Sequence, residues 1–193
     1  MPETEITENE QTRTRPDIVW LCSSAIITLA AFAFRFYDLA LKPLHHDEGV
    51  NGFFLTTLYR TGVYKYDPAN YHGPTLYYIS LFFSKIFGLN TFAVRASVAV
   101  FGVLTVVLVL YLRRYLGRVG SLSAALFLAL SPGMVFISRY FIHETFFTFC
   151  SLAIVVSVVL FIERTSAGVF AKIWLAILLA ACFIPSGLSI ATY

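Results

Sequence analysis

Charged residues are scarce in this chain: they make up 13% of the sequence, whereas hydrophobic residues make up 58%. Soluble domains average about 25% charged residues, so the composition excludes an ordinary soluble domain and predicts an integral membrane protein. The net charge of +3 is too small to indicate a nucleic-acid-binding surface. The three cysteines lie far apart inside apolar runs, which argues against a disulfide framework and against a Cys-x-x-Cys metal site.

Five stretches without charged residues are long enough to cross a membrane, since a spanning helix needs about 17–25 residues. They cover residues 18–34, 96–112, 119–138, 145–162 and 173–193. The apolar run 73–84 is shorter and is typical of a helix lying in the membrane interface. The sequence therefore predicts an all-α, multi-pass transmembrane protein with about five spans and two interfacial helices in its first external loop.

The orientation follows from the distribution of arginine. Arg113, Arg114 and Arg118 share a short link between the second and third runs that contains no acid. The positive-inside rule places this link in the cytoplasm, so the N-terminus is cytoplasmic and residues 35–95 form an external loop. All four histidines are then external, namely His45, His46, His72 and His143.

The chain divides into two parts. Residues 1–17 are polar and acidic, which predicts a disordered cytoplasmic tail. Residues 18–193 predict the N-terminal part of one transmembrane domain in a cell membrane. The last run reaches Tyr193 without polar flanking residues, so we expect a longer protein of which this is an N-terminal piece.

The most informative stretch is His45-His46-Asp47-Glu48-Gly49, which follows the first apolar run directly. Adjacent acids are costly to hold near hydrocarbon, so such a cluster indicates a functional site. The alternatives are that Asp47 only caps a helix, that Glu48 is a solvated first-turn residue, and that the two histidines are ordinary interfacial residues.

Two helices are predicted in the external loop. Asp47 is placed as the N-cap of a helix with apolar residues at Val50, Phe54 and Leu58, which ends at Gly62. Pro74 is placed at the start of the second helix. Five tyrosines in this region offer either an interfacial aromatic belt or walls for a carbohydrate, namely Tyr64, Tyr66, Tyr71, Tyr77 and Tyr78.

The order of these motifs resembles the GT-C membrane glycosyltransferases, in particular the protein O-mannosyltransferases and the lipid A aminoarabinose transferases. The resemblance covers residues 35–162, and its motifs are Asp47-Glu48, Gly73-Pro74-Thr75-Leu76-Tyr77-Tyr78, Phe87-Gly88 and Arg95. Residues 45–52 together with 71–74 are also similar to an archaeal subgroup labelled flippase activity-associated proteins.

This resemblance implies an enzyme that transfers a sugar from a polyprenyl (dolichyl) phosphate to a hydroxyl acceptor on the external face. It gives Asp47 the role of general base or metal-associated acid, with Glu48 as its catalytic neighbour. Such a transfer needs a base for the acceptor hydroxyl and a positive group for the leaving phosphate, independently of any family. Arg139 suits the phosphate because a guanidinium binds phosphate oxygens in a bidentate manner.

The other expected substrate contacts are His72, Tyr71, Arg95 and Glu144. Each also has a plainer interpretation: Arg95 can extend its side chain to the membrane surface, His72 can be a loop residue, and Arg139 with Glu144 can anchor a span end. The expected partners are the lipid-linked sugar, membrane lipids and other membrane proteins of a glycosylation pathway, with no nucleic acid.

The cofactor remains open at this stage. A divalent metal ion is compatible with histidine and carboxylate ligands on one side, with His46 as the candidate ligand, but no close pair of metal-binding spacing is present. Two other functions were weighed: an accessory protein that binds lipid-linked sugars without reacting, and a transporter. Transport sites lie near mid-bilayer, whereas the acids here lie in an external loop.

Overall fold

The computed structural model describes residues 17–68 and 72–163, which form seven helices and no strand. These are α1 (Ile18–Phe36), α2 (His46–Thr61), α3 (Thr75–Phe87), α4 (Thr91–Tyr111), α5 (Arg113–Leu130), α6 (Pro132–Ser138) and α7 (His143–Glu163). The all-α prediction is confirmed for these residues. The predicted tail up to residue 16, Tyr71 and the run 173–193 lie outside the described residues.

Three of the described helices are long and apolar enough to cross a bilayer: α1, α4 and the part of α7 over His143–Leu160. They contain the predicted run 18–34 and most of the runs 96–112 and 145–162. Helix α3 is apolar but has only 13 residues, and its interfacial position stays a prediction.

The predicted span 119–138 is not one continuous helix. Helices α5 and α6 meet at an angle of 62°, so together they form a broken fourth candidate span. Proline at position 132 disfavours a helical conformation of the residue before it, and Ser131 accordingly has ψ 119°. The break thus follows from the Ser131–Pro132 pair, which apolar run length does not register.

Helix α4 lies at the centre of the bundle, where it packs against α1, α3, α5 and α7. Its contact faces carry small residues, which allow neighbouring helices to approach closely. The closest approach is at Gly102: a Cβ atom there would lie 2.5 Å from Cβ of Ser138 and 2.7 Å from Nε of Arg35. Glycine at this position is therefore required by packing.

Arg35 is a fully buried cation that donates to Ala31 O of its own helix, at 3.3 Å, and to the end of a second helix. Its guanidinium donates to the carbonyl oxygens of Leu128, at 2.9 Å, and Ala129, at 3.3 Å, in the last turn of α5. The last carbonyls of a helix lack intrahelical donors and carry partial negative charge. Arg35 therefore joins the end of α1 to the end of α5 beside the bend.

A second polar cluster joins the helices at the opposite end of α1. Asp17 caps α1 by accepting a hydrogen bond from Trp20 N at 3.2 Å, and it forms ion pairs with Arg113 and Arg118 at 2.8 and 2.9 Å. The start of α1 and the α4–α5 link thus lie at the same end of the bundle, as the predicted topology requires. The cytoplasmic location of that end stays a prediction.

We expect Gly102→Ala to lower the stability of the protein by about 1–3 kcal/mol, because the added methyl group would overpack the contact with Ser138 and Arg35. The thermal midpoint of the purified full-length protein in detergent measures this loss. Gly133→Ala is the matched control, since a Cβ at Gly133 meets no atom within 4 Å. Equal midpoints for the two variants would contradict the close packing at Gly102.

Candidate active site on the outer helices

Glu48 is the centre of the region that the acidic motif forms. Its side chain is fully buried and pairs with Arg95 of α4 through two parallel hydrogen bonds. Arg95 Nε donates to Oε1 at 2.8 Å, and one terminal nitrogen donates to Oε2 at 2.7 Å. This bidentate geometry is the strongest arrangement that an arginine and a carboxylate adopt. The pair fastens the first turn of α2 to α4.

Arg95 uses all its hydrogen-bond donors inside the protein. A guanidinium has five N–H donors. Two bind Glu48, and the other three bind the carbonyl oxygens of Leu39, Lys42 and Pro43 at 2.8, 2.9 and 3.1 Å. The segment between α1 and α2 is thereby fixed to α4. No N–H of Arg95 is left for a substrate phosphate. In this structure Arg95 holds neighbouring segments together.

Glu48 also holds the connection between α6 and α7. The backbone N–H of Phe141 donates to Glu48 Oε1 at 3.0 Å, and the Phe141 carbonyl accepts from Asn51 Nδ2 at 2.9 Å. Asn51 in turn accepts from the hydroxyl of the buried Tyr77 at 2.7 Å. Both backbone groups of Phe141 are therefore satisfied by side chains of α2, one turn apart.

The protonation of Glu48 reflects this environment. Burial alone would raise its pKa, but the hydrogen bond from Arg95, the N–H groups of His45 and Phe141, and the charge of Arg95 together outweigh burial. The pKa of Glu48 is held below its ordinary value. The buried carboxylate is therefore ionised at neutral pH and balanced by a single cation.

The predicted orientation of α2 is wrong in two respects. His45 occupies the N-cap position, and Asp47 lies in the first turn. The buried face carries Glu48, Asn51, Leu55 and Leu58 rather than the predicted line through Val50 and Phe54. The hydrophobic pattern did not indicate the buried face because two of the residues on that face, Glu48 and Asn51, are polar. The predicted end at Gly62 is confirmed: this glycine has φ 75°, the left-handed conformation of a helix C-cap.

Asp47 follows His46 in the first turn of α2 and, unlike Glu48, is exposed. Within the described part of the chain its carboxylate has no hydrogen bond or ion pair. A shallow depression of about 490 Å³ opens on α2, and Asp47 is not among the residues that line it. The depression is lined by Leu44, His45, His46, Gly49, Val50 and Phe53.

Tyr140, which precedes Phe141 in the connection between α6 and α7, also lies close to this motif. Its ring lies 5.5 Å from the ring of His45, centroid to centroid. Its pKa is raised, first by burial and then by the negative charges of Asp47 and Glu48, which outweigh the opposite effect of Arg95. The phenol is therefore protonated at neutral pH. Sequence reasoning missed Tyr140 because nothing local distinguishes it from the other tyrosines.

Arg139 binds the end of α1. Its two terminal nitrogens donate to the carbonyl oxygens of Phe34, Tyr37 and Asp38 at 3.1, 2.6 and 3.3 Å. Nε and one terminal N–H have no partner within the described ranges. Arg139 is thus fixed in place by helix-end carbonyls yet keeps two donors at an accessible position.

His72 and Glu144 belong to a separate group around the start of α7. The His72 ring stacks on the ring of His143 at 4.2 Å, and the edge of Tyr77 lies 5.2 Å from His143. Burial lowers the pKa of His72, while the charge of Glu144 raises it by a smaller amount. Glu144 is exposed. Glu144 is thus close enough to His72 for its charge to act on that imidazole, and its role as a substrate contact stays a prediction.

Two of the predicted carbohydrate-facing tyrosines are part of the packed core. Tyr77 is fully buried, and the ring of Tyr64 stacks on it at 5.1 Å. The hydroxyl of Tyr64 donates to the backbone carbonyl of His72 at 2.7 Å. Tyr77 and Tyr64 therefore stabilise the packing between α2, α3 and the segment at His72. Tyr71 lies outside the described residues.

His46 is exposed on α2, next to Asp47. Among the residues that the structure describes, no group of three or more His, Cys, Asp or Glu side chains is placed to hold a metal ion. His46 remains a single candidate ligand, and its role in metal binding stays an expectation.

These features define a polytopic helical membrane protein with a fixed polar framework at one end and an exposed carboxylate beside it. The chain belongs to the dolichyl-phosphate-mannose-protein mannosyltransferase family, whose model matches residues 71–186, more than half of the sequence. Members are membrane glycosyltransferases that use a dolichyl-phosphate-linked sugar donor. Arg95, Arg139 and Glu144 lie within the matched residues, whereas Asp47 and Glu48 precede them. No curated protein and no solved structure is significantly similar to the chain.

We expect Glu48→Gln to destabilise the protein by about 3–5 kcal/mol, because it leaves the buried Arg95 charge without its counter-ion. Thermal unfolding in detergent or the rate of proteolysis measures the loss. Asp47→Asn is the matched control: it makes the same chemical change one residue away, at an exposed side chain, and should leave the midpoint unchanged. A Glu48→Gln variant as stable as the control would contradict the framework role.

The lowered pKa of His72 predicts a loss of stability in acid. A histidine whose pKa is lower in the folded state contributes its full stability above its ordinary pKa of 6.5 and loses it as the pH falls through the folded value. We expect the thermal midpoint to fall between pH 7 and pH 5, and His72→Phe to reduce this slope while keeping the ring stack. His46→Phe, at an exposed histidine, is the control. An unchanged slope in His72→Phe would rule out this residue as the source.

Proposed function

We propose that this protein transfers a mannose-type sugar from dolichyl (polyprenyl) phosphate to a hydroxyl acceptor on the external membrane face, with Asp47 as the general base. The observation that carries the assignment is the contrast between two adjacent acids. Glu48 is buried, and each of its oxygens is used by the protein. Asp47 is exposed, with no hydrogen-bond or ion-pair partner within the described ranges.

The transfer then proceeds by displacement at the anomeric carbon. Asp47 accepts the proton of the acceptor hydroxyl as the acceptor oxygen forms its bond to that carbon. The bond between the anomeric carbon and the phosphate oxygen breaks, and dolichyl phosphate leaves with the electron pair. Asp47 returns its proton to water. No redox partner is needed, and the single displacement inverts the configuration of the anomeric carbon.

Arg139 supplies the positive group that the leaving phosphate requires. Its Nε and one terminal N–H point to no partner of the described chain, and its other donors hold it against the end of α1. A cation fixed in advance stabilises developing negative charge without reorganising during the reaction. His72 lies close to Glu144, which is in the first turn of α7. In this proposal the two residues form a second contact with the substrate.

Two finer assignments belong to this proposal. The motif over residues 45–52 favours the archaeal flippase activity-associated subgroup of the superfamily. The arginines of the α4–α5 link favour a cytoplasmic position for that end and hence an external position for Asp47.

We expect Asp47→Asn to reduce transfer about 10²–10⁴-fold, the usual contribution of a general base. The assay follows radiolabelled mannose from dolichyl-phosphate-mannose to acceptors in membranes that contain the full-length protein. Asp38→Asn, at another exposed aspartate of the same connection, is the control and should keep its activity. Unreduced transfer in Asp47→Asn would rule out Asp47 as the general base. If the wild-type protein binds the donor without turnover, the enzyme assignment is wrong and an accessory lipid-binding role replaces it.

A further inference from the structure

The proposed reaction names a residue for the phosphate and a residue for the acceptor hydroxyl, but none for the transferred sugar, and Tyr140 is a candidate for this role. In a displacement, the sugar lies between the leaving phosphate and the attacking hydroxyl. The proposed phosphate ligand is Arg139 and the proposed base is Asp47. Tyr140 follows Arg139 directly in sequence, and its ring contacts His45 at the start of the helix that carries Asp47.

The position of Tyr140 is fixed by its neighbours and not by its own hydroxyl. The next residue, Phe141, has its N–H bound to Glu48 and its carbonyl bound to Asn51. The ring itself stacks on Phe136 at 5.7 Å and meets His45 from another side. The backbone after Tyr140 is thus held by the hydrogen bonds of Phe141, and the ring of Tyr140 is held by Phe136 and His45. These contacts fix the orientation of the side chain.

The hydroxyl of Tyr140 makes no hydrogen bond within the described parts of the chain, in contrast to those of Tyr64 and Tyr77. Its environment keeps it protonated, so it is a donor at neutral pH. A fixed ring with an unused hydroxyl suits a hydroxyl-rich ligand, because a tyrosine combines an apolar face with a polar tip.

We infer that Tyr140 binds the transferred sugar of the lipid donor, donating its phenol hydrogen bond to a sugar hydroxyl between Arg139 and Asp47. This inference rests on the proposed function, since it needs the donor phosphate and the base at those two residues. It adds a residue of the second outer connection that recognises the sugar and not the lipid phosphate.

The test compares two ligands that differ only in the sugar: dolichyl-phosphate-mannose and dolichyl phosphate. Binding of each to the purified full-length protein is measured on the Asp47→Asn background, where no transfer consumes the donor. We expect Tyr140→Phe to weaken binding of dolichyl-phosphate-mannose about three- to tenfold, the effect of one hydrogen bond, and to leave binding of dolichyl phosphate unchanged. Tyr37→Phe, at an exposed tyrosine of the same end, should change neither.

The outcomes separate this inference from the proposed function. Unchanged binding of both ligands by Tyr140→Phe, or equal weakening of both, would overturn sugar recognition by Tyr140 and leave the enzyme assignment intact. Failure of the Asp47→Asn protein and of the wild type to bind either lipid would instead overturn the proposed function. Selective loss of the sugar-bearing ligand supports both.

Discussion

The buried pair between Glu48 and Arg95 is the interaction that holds the start of α2 against α4. A carboxylate and a guanidinium without water are stable only when each remaining donor and acceptor finds a partner. Here they do: Arg95 binds three further carbonyls, and Glu48 accepts two backbone N–H groups. Three regions that are distant in sequence, around residues 39–48, Arg95 and Phe141, therefore meet at one ion pair, and charge-assisted hydrogen bonds fix their relative positions.

This framework explains why two adjacent acids have different properties. In the first turn of a helix, consecutive side chains point about 100° apart, so one can face the core while the next faces outward. Glu48 is buried and serves the fold, whereas Asp47 is exposed and available. The position of Asp47 is therefore fixed by the contacts of its neighbour Glu48, without a hydrogen bond of its own within the described residues.

The sequence allowed the broad architecture to be predicted, because the length of apolar runs directly reports membrane-crossing helices. It did not allow the buried face of α2 to be predicted. Glu48 and Asn51 look like surface residues in any local pattern, and their burial depends on Arg95 and Phe141, which lie 47 and 90 positions away. Tyr140 escaped notice for the same reason: its significance comes from a contact across two connections. The bend at Pro132 was visible in the sequence, but run length alone does not register it.

The separation of these partners along the chain also orders events during synthesis. Glu48 leaves the ribosome 47 residues before Arg95 and 93 residues before Phe141. Until α4 arrives, a lone carboxylate must stay hydrated, because the cost of burying it unpaired is prohibitive. The first turn of α2 therefore remains in water while α1 is already inserted, and it docks only after α4 has entered the bilayer. The hydrogen bonds of Glu48 are complete only when the connection after α6 has emerged and Phe141 can donate to it.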